Sequence, residues 1–182
     1  DEFYYNNGNY DGTYSDVDAR NVDVGKIQKQ VYKLLTTTQV TNKPLNEKAA
    51  CAIMGIIKNE SGFNPNATNP NDGGYGLIQW TNGRRTKLEN WLSKNGYANN
   101  SVEGQIKYFF YELKKSYGSG TNYNIYDYLI NQEHTLDEYL LYFFGHAEAG
   151  TNIMPGTEAW TRPYNKETNP TIIPKTIETI PA

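Results

Sequence analysis

Residues 55–80 read GIIKNESGFNPNATNPNDGGYGLIQW, and their character changes abruptly at Glu60. Ile53, Ile57 and Glu60 stand at i, i+4 and i+7, so on a helix they share one face, and that face is apolar. A carboxylate placed there loses solvation, which disfavours its charged form and raises its pKa. A carboxylic acid that stays neutral near neutral pH is what a general acid requires. Glycosidic cleavage needs such an acid to protonate the leaving oxygen. Gly62 lets the helix stop sharply and leaves Glu60 in the last turn, at the lip of whatever follows. The competing reading is a structural carboxylate paired with Arg84, Arg85 or Arg162, because ion pairs perturb pKa values too.

The downstream half of the stretch bears on that choice. Gly73, Gly74 and Gly76 flank Tyr75 and allow backbone to approach a ligand closely. Tyr75 and Trp80 carry flat faces suited to sugar rings, and Gln79 can donate to and accept from hydroxyl or N-acetyl groups. Asp72 is a second carboxylate, which can divide the acid and base or nucleophile roles with Glu60. Its bland alternative is an Asp-Gly turn residue.

Outward from this stretch the pattern is helical. VGKIQKQVYKLL puts Val24, Ile27, Val31, Leu34 and Leu35 on one stripe. The helix carrying Glu60 is expected from about Lys48 to Ser61, entered through Pro44 and Asn46. The turn-rich segment from Phe63 to Gly83 is expected to hold a small hairpin. A third helix should bury Leu88, Trp91 and Leu92 and end at Gly96. A fourth should bury Val102, Ile106, Phe109, Phe110 and Leu113 and stop at Gly118. IYDYLINQ reads as a short fifth. Thr135 and Glu138 form a capping box for a sixth, with Leu136, Tyr139, Leu140, Phe143 and Phe144 inward. The expected fold class is mostly α (α+β), a helical domain with a small irregular or β lobe beside a cleft. Residues 1–22 read as a flexible or draped arm, 23–165 as the catalytic domain, and 166–182 as an extended tail or linker.

Composition narrows the function. The 182 residues carry a net charge of -3 with no basic run, which speaks against nucleic acid as a partner. Nothing approaches the length of apolar sequence that spans a bilayer, so no membrane role is expected. No signal peptide or initiator Met is visible, so the chain reads as processed or cut from something longer. Cys51 is the single cysteine, so no internal disulfide can form, and its small apolar neighbours make it a buried inert thiol rather than a peptidase nucleophile. His134 and His146 lack the spacing of a metal site, and neither metal nor cofactor is expected. Arg84 and Arg85 open a helix where cations oppose the dipole. They are therefore expected to pair with Glu60 or Asp72, or to meet carboxylates of the substrate.

ESGFNPNA, GGYGLIQW and GRR, in that order, resemble the phage tail-tip lysozyme family, within the lysozyme superfamily and similar in layout to goose-type lysozymes and lytic transglycosylases. The likeness runs from about Asn46 to Lys94, and more loosely through the helix at 136–144. It implies hydrolysis of the β-1,4 bond between N-acetylmuramic acid and N-acetylglucosamine. It implies Glu60 as general acid, Asp72 as second carboxylate, and Tyr75, Gln79 and Trp80 lining the glycan cleft, with Arg84 also at the substrate. The family's aromatic-Glu-x-Pro-Gly after the last buried helix is replaced by GHAEAGTNIMPG, in which Glu148 stands in the equivalent place, as a substrate-binding residue and the alternative to Asp72 as second carboxylate. The implied partners are peptidoglycan strands, other tail proteins or neighbouring domains. The implied location is a virion tail tip, or outside a cell at its wall. Two rivals stand beside this reading. One is a lytic transglycosylase, which needs only one acid/base; the other is a glycan-binding tail module without catalysis.

Overall fold

The structure, a computed structural model, describes residues 4–5, 24–38, 43–121, 124–143 and 177–179. Those residues form a mostly helical fold. In chain order the elements are β1 (Tyr4–Tyr5), α1 (Val24–Thr37), α2 (Glu47–Ser61), α3 (Asn82–Lys94), α4 (Val102–Ser116), α5 (Ile125–Asn131), α6 (Leu136–Phe143) and β2 (Ile177–Thr179). The two short strands pair antiparallel, Tyr4 opposite Thr179 and Tyr5 opposite Ile177. The rest of the expected arm and tail lies outside the described residues, as do Phe144, His146, Glu148 and Arg162.

Helix α2 is the axis of the domain. Asn46 caps it: its Oδ1 accepts from the Ala49 N–H at 2.8 Å, and its amide donates to the Tyr139 hydroxyl at 3.0 Å. The cap therefore also fastens α2 to α6. From Ala49 to Ile57 the side chains are buried on every face apart from Gly55, which has none. A helix apolar all round belongs in a core. Here α6 and α1 pack on it, α1 also meets α4, and α3 lies on α4. The small residues Ala49, Ala50, Cys51 and Ala52 leave room for these neighbours. Burial, and then the nearby Glu47 charge, push the Cys51 thiol up to about 12, so it is not a nucleophile at neutral pH.

The helix ends follow from their residues. Gly62 closes α2 in the left-handed conformation, φ 59° and ψ 33°, and its N–H returns to the Lys58 carbonyl. Ser101 caps α4 through the Gly104 N–H at 2.9 Å. The capping box of α6 is complete, since the Thr135 N–H donates to Glu138 Oε1 at 3.0 Å and the Glu138 N–H to Thr135 Oγ1 at 3.2 Å. Val102, Ile106, Phe109, Phe110 and Leu113 are buried as their spacing predicts, and so are Tyr139, Leu140 and Phe143. Trp91 is only partly buried; it stacks on Tyr97 at the α3–α4 seam.

That seam is tight at Gly104, where a Cβ would come within 2.7 Å of Leu92 Cδ2 and 2.8 Å of Tyr97 Cβ. Helix propensity alone favours Gly104→Ala by about 1 kcal/mol. Overpacking is expected to outweigh that gain, at about 1–3 kcal/mol. Thermal unfolding of the variant should therefore come at a lower temperature than that of the wild type.

Candidate active site

The segment between α2 and α3 is built from three successive side-chain turns. Asn64 Oδ1 accepts from the Asn66 N–H, Asn69 Oδ1 from the Asn71 N–H, and Asp72 Oδ1 from the Gly74 N–H, at 2.9, 2.9 and 2.8 Å. Each is an Asx turn, in which a short side chain replaces a backbone acceptor two residues back. The repeated Asn-Pro-Asn explains the asparagine content here on structural grounds. Isolated antiparallel bridges then join Thr68 to Tyr75 and Tyr75 to Trp80. The expected hairpin is thus reduced to two isolated bridges that share Tyr75.

Two side chains anchor this loop to the helices. Ser61, beside Glu60, accepts no solvent role: it is buried, and its hydroxyl lies 3.0 Å from the Ile57 carbonyl and 2.8 Å from that of Leu77. Gln105 of α4 is fully buried. Its Oε1 accepts from the Leu77 N–H at 2.8 Å, and its Nε2 donates to the Pro65 and Asn99 carbonyls at 2.7 and 2.8 Å. Gly76 lies against it with φ 83°, where a Cβ would come 2.8 Å from Gln105 Oε1. This glycine serves the fit of loop to helix, not the approach of a ligand. Replacing Gln105 with leucine strands two buried backbone groups, the Leu77 N–H and the Pro65 carbonyl, for an expected loss of about 2–4 kcal/mol, readable as a lower urea midpoint.

Glu60 lies in the last turn of α2 and is half-buried. Burial first, and then the negative charge of Asp72, raise its carboxyl above the ordinary glutamate value, while Arg84 acts in the opposite sense. Asp72 is exposed on the facing turn. The fold therefore brings Glu60, Asp72 and Arg84 within electrostatic reach of one another. A half-buried carboxyl of raised pKa near an exposed carboxylate is an arrangement that can supply an acid and a base, nucleophile or charge stabiliser.

The aromatic residues require correction. Trp80 has no exposed surface, and its indole N–H donates to Glu112 Oε1 at 3.2 Å while its ring meets Tyr108 edge-on at 5.9 Å. Tyr75 is 5 % exposed; its hydroxyl donates to Asn66 Oδ1 at 3.0 Å, and the Arg85 guanidinium covers its ring at 4.8 Å. Neither ring offers a face to a sugar. Gln79 turns its amide inward, donating to the Ala67 and Gly76 carbonyls at 3.1 and 2.9 Å. These three side chains hold the loop's shape.

Arg84 was expected to pair with Glu60 or Asp72, but its bidentate partner is Glu112. Nε reaches Oε2 at 3.0 Å and Nη2 reaches Oε1 at 2.8 Å. Arg85 pairs with Glu89 at 2.7 Å and donates to the Gly73 carbonyl at 3.0 Å. Sequence reasoning missed Ser61, Gln105 and Glu112. Their signal was present, since Gln105, Tyr108 and Glu112 recur at i, i+3 and i+7 and give α4 a polar stripe inside its buried surface. His134 stacks on Tyr128, with centroids 3.8 Å apart, away from these groups in sequence and in its contacts. Among the described residues no group of three metal-ligating side chains occurs, and no helix is long and apolar enough to cross a membrane.

A helical domain whose buried axis ends in a half-buried glutamate, beside a glycine- and asparagine-rich loop, has the form of a lysozyme-like domain. Residues 26–166, more than three quarters of the chain, match the phage tail lysozyme family, and the chain belongs to it. It is also similar to Morphogenesis protein 1 of Bacillus phage B103, 33% identical over 72 residues, which cover 37% of this chain and 19% of that protein. The chain thus matches about a fifth of that relative's length.

Proposed function

We propose that this chain is a virion-associated glycosidase that hydrolyses the β-1,4 bond between N-acetylmuramic acid and N-acetylglucosamine, opening a Gram-positive wall during phage entry. The reading rests above all on Glu60, a half-buried carboxyl at the end of a buried helix whose pKa is raised by burial and by the neighbouring Asp72. Glu60 gives its proton to the glycosidic oxygen as the C–O bond breaks. Asp72 offsets the positive charge that develops on the sugar, or activates the water that completes hydrolysis. Family membership supports the class of reaction, and peptidoglycan is the substrate this class acts on.

The test is mass spectrometry of fragments released from purified Gram-positive peptidoglycan. Reducing muramic acid ends are expected. Ends in 1,6-anhydromuramic acid would instead assign the chain to the lytic transglycosylases, in which the sugar's own hydroxyl displaces the leaving group. Binding to several walls without any fragment would make it a non-catalytic glycan-binding module.

A further inference from the structure

The turn carrying Asp72 is stitched largely to itself. The Asn69 N–H donates to the Gly74 carbonyl and the Gly73 N–H to the Asn69 carbonyl, both at 2.8 Å. One peptide unit in this turn is held from two sides. Between Gly73 and Gly74, the N–H donates to Asp72 Oδ1 at 2.8 Å, while the carbonyl accepts from Arg85 Nη1 at 3.0 Å. A peptide unit is planar, so holding its oxygen fixes the direction of its N–H. Glycine on both sides frees this unit to rotate, and Gly73 stands at φ 74°. Its orientation is therefore set by what grips it rather than by the preference of the backbone.

The grip comes from α3. Arg85 Nε donates to Glu89 Oε1 at 2.7 Å, one turn further along the helix, and the guanidinium lies 4.8 Å from the centroid of the Tyr75 ring. Tyr75 is fastened in turn through its hydroxyl to Asn66. The Arg85 and Glu89 side chains are 36 % and 35 % exposed, and an ion pair so exposed contributes little to global stability. Its effect is local. Resting on the reading of Asp72 as the second carboxylate, we propose that Arg85 is a positioning residue for Asp72: by holding the Gly73 carbonyl, it keeps the Gly73–Gly74 peptide in the orientation whose N–H grips the Asp72 side chain. Glu89 aims the guanidinium and the Tyr75 ring supports it. Without Arg85 the peptide turns, and Asp72 loses its anchor.

The experiment compares wild type, Arg85→Met, Asp72→Ala and the double variant. Cleavage of soluble peptidoglycan fragments gives kcat and KM, nitrogen-15 NMR follows amide exchange, and circular dichroism checks that each variant folds. In Arg85→Met the Gly74 N–H is expected to exchange about tenfold faster while amides of Ala49–Ile57 keep their wild-type rates, since the turn can open without the core. Its kcat is expected to fall by about 10–100-fold with KM little changed, the scale of loss when a reacting group is displaced by about 1 Å. Adding Arg85→Met to Asp72→Ala should cost nothing further, because a residue that acts through Asp72 then has nothing left to position. Unchanged Gly74 exchange in Arg85→Met overturns the proposal whatever the activity. So does a rise in KM that persists without Asp72, which would make Arg85 a contact of the substrate, and so does a fully active Asp72→Ala. A wild type that cleaves no wall, with Gly74 exchange still faster in Arg85→Met, overturns the glycosidase reading and leaves the hold of Arg85 on Asp72 standing.

Discussion

Glu60→Gln is expected to reduce release of wall fragments by about 10²–10⁴-fold, the range that a positioned general acid contributes, while the protein still binds peptidoglycan. Glutamine keeps the shape of the side chain and its place in the last turn of α2, but holds no proton acidic enough to transfer. The wild-type profile should show a basic limb above the ordinary carboxylate range, because burial and Asp72 raise the Glu60 pKa. The sign for stability runs the other way from that of a salt-bridged carboxylate. Between the ordinary glutamate value and the raised one, the folded chain holds a proton that the unfolded chain has released. Stability therefore falls as pH rises through that window. Glutamine carries no such penalty, so at pH 7 the variant should melt at or above the wild-type temperature. Loss of cleavage with retained or increased Tm would separate chemistry from folding. A variant as active as wild type would make Glu60 structural.

Glu112→Leu is expected to destabilise the fold by about 3–5 kcal/mol, the cost of breaking one side of a buried pair. In a protein of this size that corresponds to a fall in Tm of roughly 10 °C. The loss has two parts: the Arg84 guanidinium forfeits a bidentate partner, and the indole N–H of a fully buried Trp80 forfeits its acceptor. Combining it with Arg84→Met should recover part of the stability, since removing both charges is far less costly than removing one. Additive losses in the double variant would show that the pair contributes no coupling. The measurement is thermal unfolding followed by circular dichroism.

The helices were legible because their signals are local. Asn46 as a cap, Gly62 as a stop, and the Thr135–Glu138 box each act within one turn, so the residues that decide them lie side by side in the chain. Glu60 was legible for the same reason, being three residues past Ile57 on the same face. The loop was not. Tyr75, Gln79 and Trp80 look like a binding surface when read only beside their glycines, since aromatic and amide side chains suit sugars and cores alike. Their partners come from elsewhere: Glu112 of α4, 32 residues on, takes the Trp80 indole, Gln105 takes the Leu77 N–H from 28 residues away, and Arg85 of α3 covers Tyr75. The Arg84 partner was missed on the same ground, at a separation of 28 residues. Only a pairing of the polar stripe on α4 with the polar backbone of the loop reveals it.

Helix α2 and the turn at Asp72 differ in permanence. Amides along Ala49–Ile57 lie in the buried axis and should exchange with deuterium only when the whole domain opens, whereas exposed residues 70–73 can open alone. A protease that nicks this turn would cut away the support of Asp72 and leave Glu60 where it is. Residual cleavage by nicked protein would then show whether Asp72 takes any part in the proposed reaction.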